Sequence, residues 1–209
     1  MPSEQQIAFV IDDDQAVRDG LSSLLRSVDI AVETFGSAGD FLRSKRPDVP
    51  SCLILDVRLP GMSGLEFQEE LGKLGFSMPI IFITGHADVP MSVQAMKAGA
   101  VEFLCKPFRE EDLLRAVRNA INNNTAQREK ASALAVIRDN FDSLTPREKE
   151  VMGYIVSGLM NKQVAGMLKL SEITVKVHRA SIMRKMKARS LAELVRQADA
   201  LELESSLPA

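Results

Sequence analysis

The chain has 209 residues, 45% apolar and 26% charged, with a formal charge of −2 at neutral pH. That balance builds buried cores under a solvated surface, and the length suits two domains better than one. No apolar run approaches the roughly 20 residues that cross a bilayer, and MPSEQQ lacks the basic-then-apolar pattern of a signal peptide. Membrane-spanning and secreted classes are therefore not expected, and the expected location is cytoplasmic. The small net charge hides an asymmetry. Residues 1–125 hold 18 acidic against 12 basic side chains, whereas residues 143–200 hold 5 against 11. An acidic module joined to a basic one implies that only the second meets a polyanion.

From residue 7 to about 120, short β-rich runs alternate with longer amphipathic ones. The runs Ile7–Ile11, Ala31–Phe35, Cys52–Leu55, Ile80–Thr84 and Val101–Cys105 read as strands. Between the first two, Val17, Leu21, Leu24, Leu25 and Val28 recur at the spacing of one buried helix face. Five such repeats predict an α/β doubly wound five-stranded parallel sheet, with near-continuous apolar strands covered on both faces. Pro60, Gly61 and Gly64 mark a tight loop after the third strand, and Gly99 closes the helix before the fifth. Cys52 and Cys105 lie inside strand-like runs and read as reduced core thiols rather than a disulfide. A fifth helix follows Pro107, with Glu110, Glu111 and Asp112 in its first turn.

Residues 123–142 carry no strand signal. Asn122–Asn124 disfavour helix, yet Ala131, Leu134, Ile137 and Phe141 keep a helical apolar pattern. The segment reads as a partly helical linker or a flexible tether. From residue 143 the chain is all helical. Thr145-Pro146-Arg147-Glu148 is a capping box with proline at the first helical position. Helices are predicted at about 146–156, 162–168, 172–186 and 190–201. The domains are thus 1–122, the linker 123–142, and 143–209.

Several strands end in charged or hydroxyl groups. Asp12 and Asp13 follow the first, Asp56 the third, Thr84 closes the fourth and Lys106 follows the fifth. The carboxyl ends of parallel strands line one crevice. Three carboxylates and an ammonium there suit Mg²⁺ and a phosphoryl group. Asp13 and Asp56 can bind the metal directly, Asp12 through water, with a backbone carbonyl at Arg58 completing the shell. The Asp56 carboxylate can accept a phosphoryl group covalently, Lys106 can neutralise its charge, and Thr84 can donate to it. A cis Lys106–Pro107 bond would turn the lysine inward, although few X–Pro bonds are cis. Asp14 reads as an ordinary helix cap.

VIDDDQAVR, LILDVRLPGMSG, IIFITGHAD and EFLCKPF resemble the receiver domain of two-component response regulators over residues 6–121. The resemblance implies Asp56 as phospho-acceptor, Asp12 and Asp13 as metal-binding acids, Thr84 as switch hydroxyl, Phe103 as switch aromatic and Lys106 as phosphate contact. Phe103 is equally at home in the core.

In the basic module, Asn161–Leu168, the Lys169-Leu170-Ser171 turn and Glu172–Met186 have helix-turn-helix spacing, with Ser171 as N-cap. Val164, Ala165, Leu168, Ile173, Val177, Ile182 and Met186 are candidates for the core side. Thr174, Lys176, His178, Arg179, Ser181, Arg184 and Lys185 remain for the surface, joined by Val177 where the first turns of a groove-bound helix reach base edges. Such a basic run also fits a plain solvated face, and His178 suits a phosphate or the surface better than a metal. The stretch from SLTPREKEV to RSLAELV resembles the LuxR-type DNA-binding domain. Ala180 stands where some relatives carry lysine, which puts polar base readout there in doubt. Gly166 lowers helix propensity by about 1 kcal/mol relative to alanine.

Together the halves resemble FixJ/NarL-type transcriptional regulators, in the FixJ-like branch with TPREKEV. The resemblance implies a non-enzymatic regulator, phosphorylated on Asp56 by a sensor histidine kinase. It would then dimerise on double-stranded promoter DNA and act on RNA polymerase. Two other classes share features. A Mg²⁺-dependent aspartyl-phosphate phosphatase or mutase would place its nucleophile after the first strand, not the third. A receiver-only adaptor would use the helical tail to dock on protein rather than DNA.

Overall fold

The computed structural model describes residues 6–85 and 88–201. The N-terminal segment except Gln6, the His86-Ala87 part of the fourth-strand motif and the end of the 143–209 domain lie outside the described residues. The chain divides into two compact units, Met1–Arg128 and Glu129–Ala209.

In the first unit, β1 (Ile7–Ile11), β2 (Ala31–Phe35), β3 (Ser51–Asp56), β4 (Ile80–Thr84) and β5 (Glu102–Cys105) alternate with α1 (Gln15–Arg26), α2 (Ala38–Arg43), α3 (Gly64–Lys73) and α4 (Val89–Lys97). All strand pairings are parallel, in the order β2-β1-β3-β4-β5. β1, β3 and β4 are buried along their whole length, as the unbroken apolar runs require when helices cover both faces. Two core clusters result. One sets Val10, Ile54 and Ile83 against Leu21, Leu25, Leu113 and Val117. The other sets Phe9, Leu55 and Phe82 against Phe41, Phe67 and Leu71. The strand order reverses beside β1, so the ends of β1 and β3 open the crevice in which doubly wound folds place their sites.

Cys52 is buried, but Cys105 is exposed at the end of edge strand β5, which corrects the expectation of two core thiols. An edge strand is covered on one flank only, and β5 has no fully buried residue.

The helix α5 (Glu110–Asp142) is 33 residues long. The segment 123–142 is therefore helical throughout rather than partly so or a tether. Tertiary bonds override the poor propensity of its asparagines. The buried Asn124 accepts the Ser51 backbone N–H through Oδ1 at 3.0 Å, and Arg128 donates to the Asp48 carbonyl and carboxylate.

The second unit holds α6 (Pro146–Val156), α7 (Asn161–Leu168), α8 (Glu172–Lys185) and α9 (Leu191–Ala200). Thr145 and Glu148 form the expected capping box and Ser171 caps α8. Lys169 ends α7 in the left-handed region at φ 54°. The core gathers Leu144, Val151, Ile155, Val164, Val175, Ile182 and Met186, with Ile137 and Phe141 of α5 packed beside it. Two expectations for α8 fail here. Ile173 and Val177 are exposed, and Val175 is the buried residue. The helix carries apolar side chains on opposite faces, and the core takes the face of Val175, Ile182 and Met186.

Candidate functional site

The first site is assembled at the ends of β1, β3, β4 and β5. Asp14 caps α1 by accepting the Ala16 N–H, which fixes the turn that carries Asp12 and Asp13. Asp12 is fully buried and its Oδ1 accepts the Asp14 N–H at 2.9 Å. Asp56 is buried at the tip of β3, and its Oδ1 accepts the Arg58 N–H at 3.1 Å. The loop beyond folds back so closely that the Gly64 N–H reaches the Val57 carbonyl at 2.8 Å, and a Cβ at Gly64 would fall on the Asp56 carbonyl oxygen. Glycine is required there by close approach rather than by its dihedral freedom.

Lys106 draws the strands together. Its Nζ donates to Asp12 Oδ2 at 2.6 Å and to Asp56 Oδ2 at 3.2 Å, and the Lys106–Pro107 peptide is cis. Burial pulls against the ammonium, but the hydrogen bond to Asp12 and the charges of Asp56 and Asp12 outweigh it, so its pKa is raised above the usual 10.5. The lysine therefore stays cationic throughout the physiological range.

One oxygen from each of Asp12, Asp13 and Asp56 lies within 4.8 Å of the others, with Asp13 exposed and the other two buried. All donors are hard carboxylate oxygens with one side open to water, the chemistry Mg²⁺ prefers. Thr84 is fully buried at the end of β4, one position beyond Ile83, the register partner of Asp56, and its carbonyl accepts the Lys106 N–H at 2.7 Å. Phe103 is half-buried on β5 and packs on Phe82, with ring centroids 6.1 Å apart. The structure thus brings Asp12, Asp13, Asp56 and Lys106 to one place, with Thr84 and Phe103 on the adjoining strands. Sequence reasoning missed Arg18, whose guanidinium donates to the Asp12 carbonyl at 2.5 Å from α1. The signal was an arginine six residues beyond the acid, on the first turns of the following helix.

In the second unit, Lys176 is exposed and lies 3.7 Å from Glu172. Val177 and Arg184 are exposed, and His178 is half-buried. Thr174 shares a hydrogen bond with Ser171, and Arg179 donates to Asn161. Ser181 and Lys185 turn inward instead. Both donate to the buried Glu148 at 2.6 Å, and Lys185 also reaches the Ser143 carbonyl. These bonds hold Glu148 at a pKa of about 2, the Lys185 bond contributing most and the Ser181 bond next. Sequence reasoning assigned Glu148 to a helix cap alone, because its partners lie on a different helix.

The receiver-domain model of response regulators matches residues 8–118, and the model of bacterial regulatory proteins of the luxR family matches residues 142–198. The chain is a two-component response regulator. This regulator is 52% identical to Nodulation protein W of Bradyrhizobium diazoefficiens, covering 98% of the present chain and 90% of that protein. It is 48% identical to response regulator protein TodT of Pseudomonas putida, covering 97% and 89%. Among solved structures, that of response regulator StyR has a TM-score of 0.85 at 49% identity, covering 93% of the regulator and 98% of StyR. The receiver fold followed by an all-helical domain is shared with the solved structures of StyR and of full-length FixJ from B. japonicum. Among the described residues, no helix is long and apolar enough to cross a membrane.

Proposed function

We propose that Asp56 is the phospho-acceptor through which a sensor histidine kinase acts on this regulator, and that the phosphorylated form dimerises on promoter DNA. The observation that carries the proposal is the Lys106 ammonium bridging Asp12 and Asp56. It makes one compact electrostatic unit from groups separated widely in sequence. Asp56 Oδ2 attacks the phosphorus of a phosphohistidine, the P–N bond breaks, and an acyl phosphate remains. Lys106 meets the charge of the transferred group, and the Thr84 hydroxyl donates to one of its oxygens. Asp13, Asp56 and the Arg58 carbonyl would hold Mg²⁺, with Asp12 acting through water. When bound, the ion supplies further charge neutralisation during transfer.

Thr84 and Phe103, on neighbouring strands, are the elements that pass the change to the outer face of β5 and α4 by biasing two pre-existing arrangements. In the helical domain, α8 enters the major groove. Thr174, Lys176, Val177 and His178 lie towards its N-terminal end, and Arg179 and Arg184 towards phosphates. Ser181 and Lys185, expected as DNA contacts, support the helix through Glu148. The regulator would work in the cytoplasm and address RNA polymerase from the promoter.

The deciding experiment is incubation of the wild type and Asp56→Asn with a small acyl-phosphate donor and Mg²⁺. The wild type should take up a hydroxylamine-sensitive label and the variant none. Equal labelling of the variant would remove Asp56 from the role.

A further inference from the structure

The outward face of α8 is apolar where a DNA-reading helix would be expected to be polar. Ile173 and Val177 are 74% and 64% exposed, and Ala180 beyond them is exposed too. At about 100° per residue these three fall within some 60° of one another, directly opposite the buried Val175, Ile182 and Met186. Three polar side chains of the helix are engaged within the domain. Thr174 is bonded to Ser171, Arg179 to Asn161, and Ser181 to Glu148. Lys176 flanks the stripe and the exposed Arg184 continues it, so a cationic margin borders an apolar centre.

Resting on the DNA-binding reading above, we infer that Ile173, Val177 and Ala180 read thymine methyl groups in the major groove. The thymine C5-methyl is the apolar feature that a base pair presents there. A protein surface is the other occupant such a stripe could take. The positive margin and the excess of basic over acidic residues in positions 143–200 favour the polyanion. From Ile173 to Ala180 the helix rises roughly 10 Å, about three base-pair steps. Each half-site should thus carry thymines clustered within about three consecutive pairs. Hydrogen bonding would contribute little to discrimination there.

The test uses the full-length chain and a random-sequence duplex library. Bound duplexes are selected, and the consensus is remade with deoxyuridine replacing one thymine at a time, which deletes only the methyl. Affinity should fall about fourfold for each buried methyl removed, at clustered positions only. Ile173→Ala and Val177→Ala, at exposed sites, should keep the fold. They should abolish the deoxyuridine penalty at their own positions.

A consensus without thymine clusters, indifference to deoxyuridine, or an undiminished penalty in both variants would overturn the inference while leaving DNA binding intact. An apolar stripe serving a protein partner gives that same pattern. Failure to retain any duplex at low salt would instead bring down the parent reading together with this one.

Discussion

Glu148→Gln removes one charge and almost no volume, and the structure sets the cost. The carboxylate is buried and accepts from Lys185, Ser181 and the Thr145 N–H. A carboxyl group at 4.5 when unfolded and about 2 when folded stabilises the folded state by about 3 kcal/mol at neutral pH. Because Lys185 is partly open to water, a loss of about 2–3 kcal/mol is expected on substitution. The folded pKa is depressed, so the contribution is fully present above 4.5 and is lost as pH falls towards about 2.

The chain has one tyrosine and no tryptophan, and Tyr154 packs against the helical core. Tyrosine fluorescence in urea therefore follows that unit without interference from the receiver. For a unit this small, with an m-value of about 1 kcal/mol/M, the midpoint should drop by roughly 2–3 M. The gap between wild type and variant should close as pH falls from 4.5 towards about 2. An unchanged midpoint, or a gap independent of pH, would refute the reasoning.

Lys185→Ala should lower the same tyrosine-monitored midpoint, and its binding to random duplex should keep the wild-type salt slope. A slope reduced by about one unit would return Lys185 to the phosphate backbone. Gly64→Ala should leave the core folded but slow acyl-phosphate formation at least tenfold, because a methyl group must displace the Asp56 carbonyl. Undiminished labelling kinetics would contradict that. Asn124→Ala strands the buried Ser51 N–H and should cost about 1–3 kcal/mol, read from receiver unfolding by far-UV dichroism. In calorimetric titration, Asp13→Ala should weaken Mg²⁺ binding more than Asp12→Ala, and equal retention in both would oppose the assignment.

Much of the receiver was legible because its physics is one-dimensional. A buried parallel strand needs an unbroken apolar run, and the charge that follows it must sit at the sheet's edge, so Asp12, Asp13, Asp56 and Lys106 could be placed before any fold was seen. The helical half resisted for a local reason. In α8 apolar side chains lie on both faces, so periodicity could not decide between Val175 and the pair Ile173 and Val177. Bonds between distant positions were equally hidden. Nothing near Asn124 announces Ser51, and nothing near Glu148 announces Ser181 and Lys185. Cys105 was misplaced because an apolar run does not reveal which strand lies at the edge.

The grip of Lys106 also bears on how a message leaves the crevice. β5 is four residues long, flanked by a neighbour on one side only and nowhere fully buried. It is the cheapest strand of the sheet to displace. The residue that follows it holds both acids, so under the proposed phosphorylation a change in their charge would pull on the least anchored strand, while β1 and β3 are paired on both flanks. The receiver is in this sense a lever with a stiff fulcrum and one soft arm, and the soft arm carries Phe103.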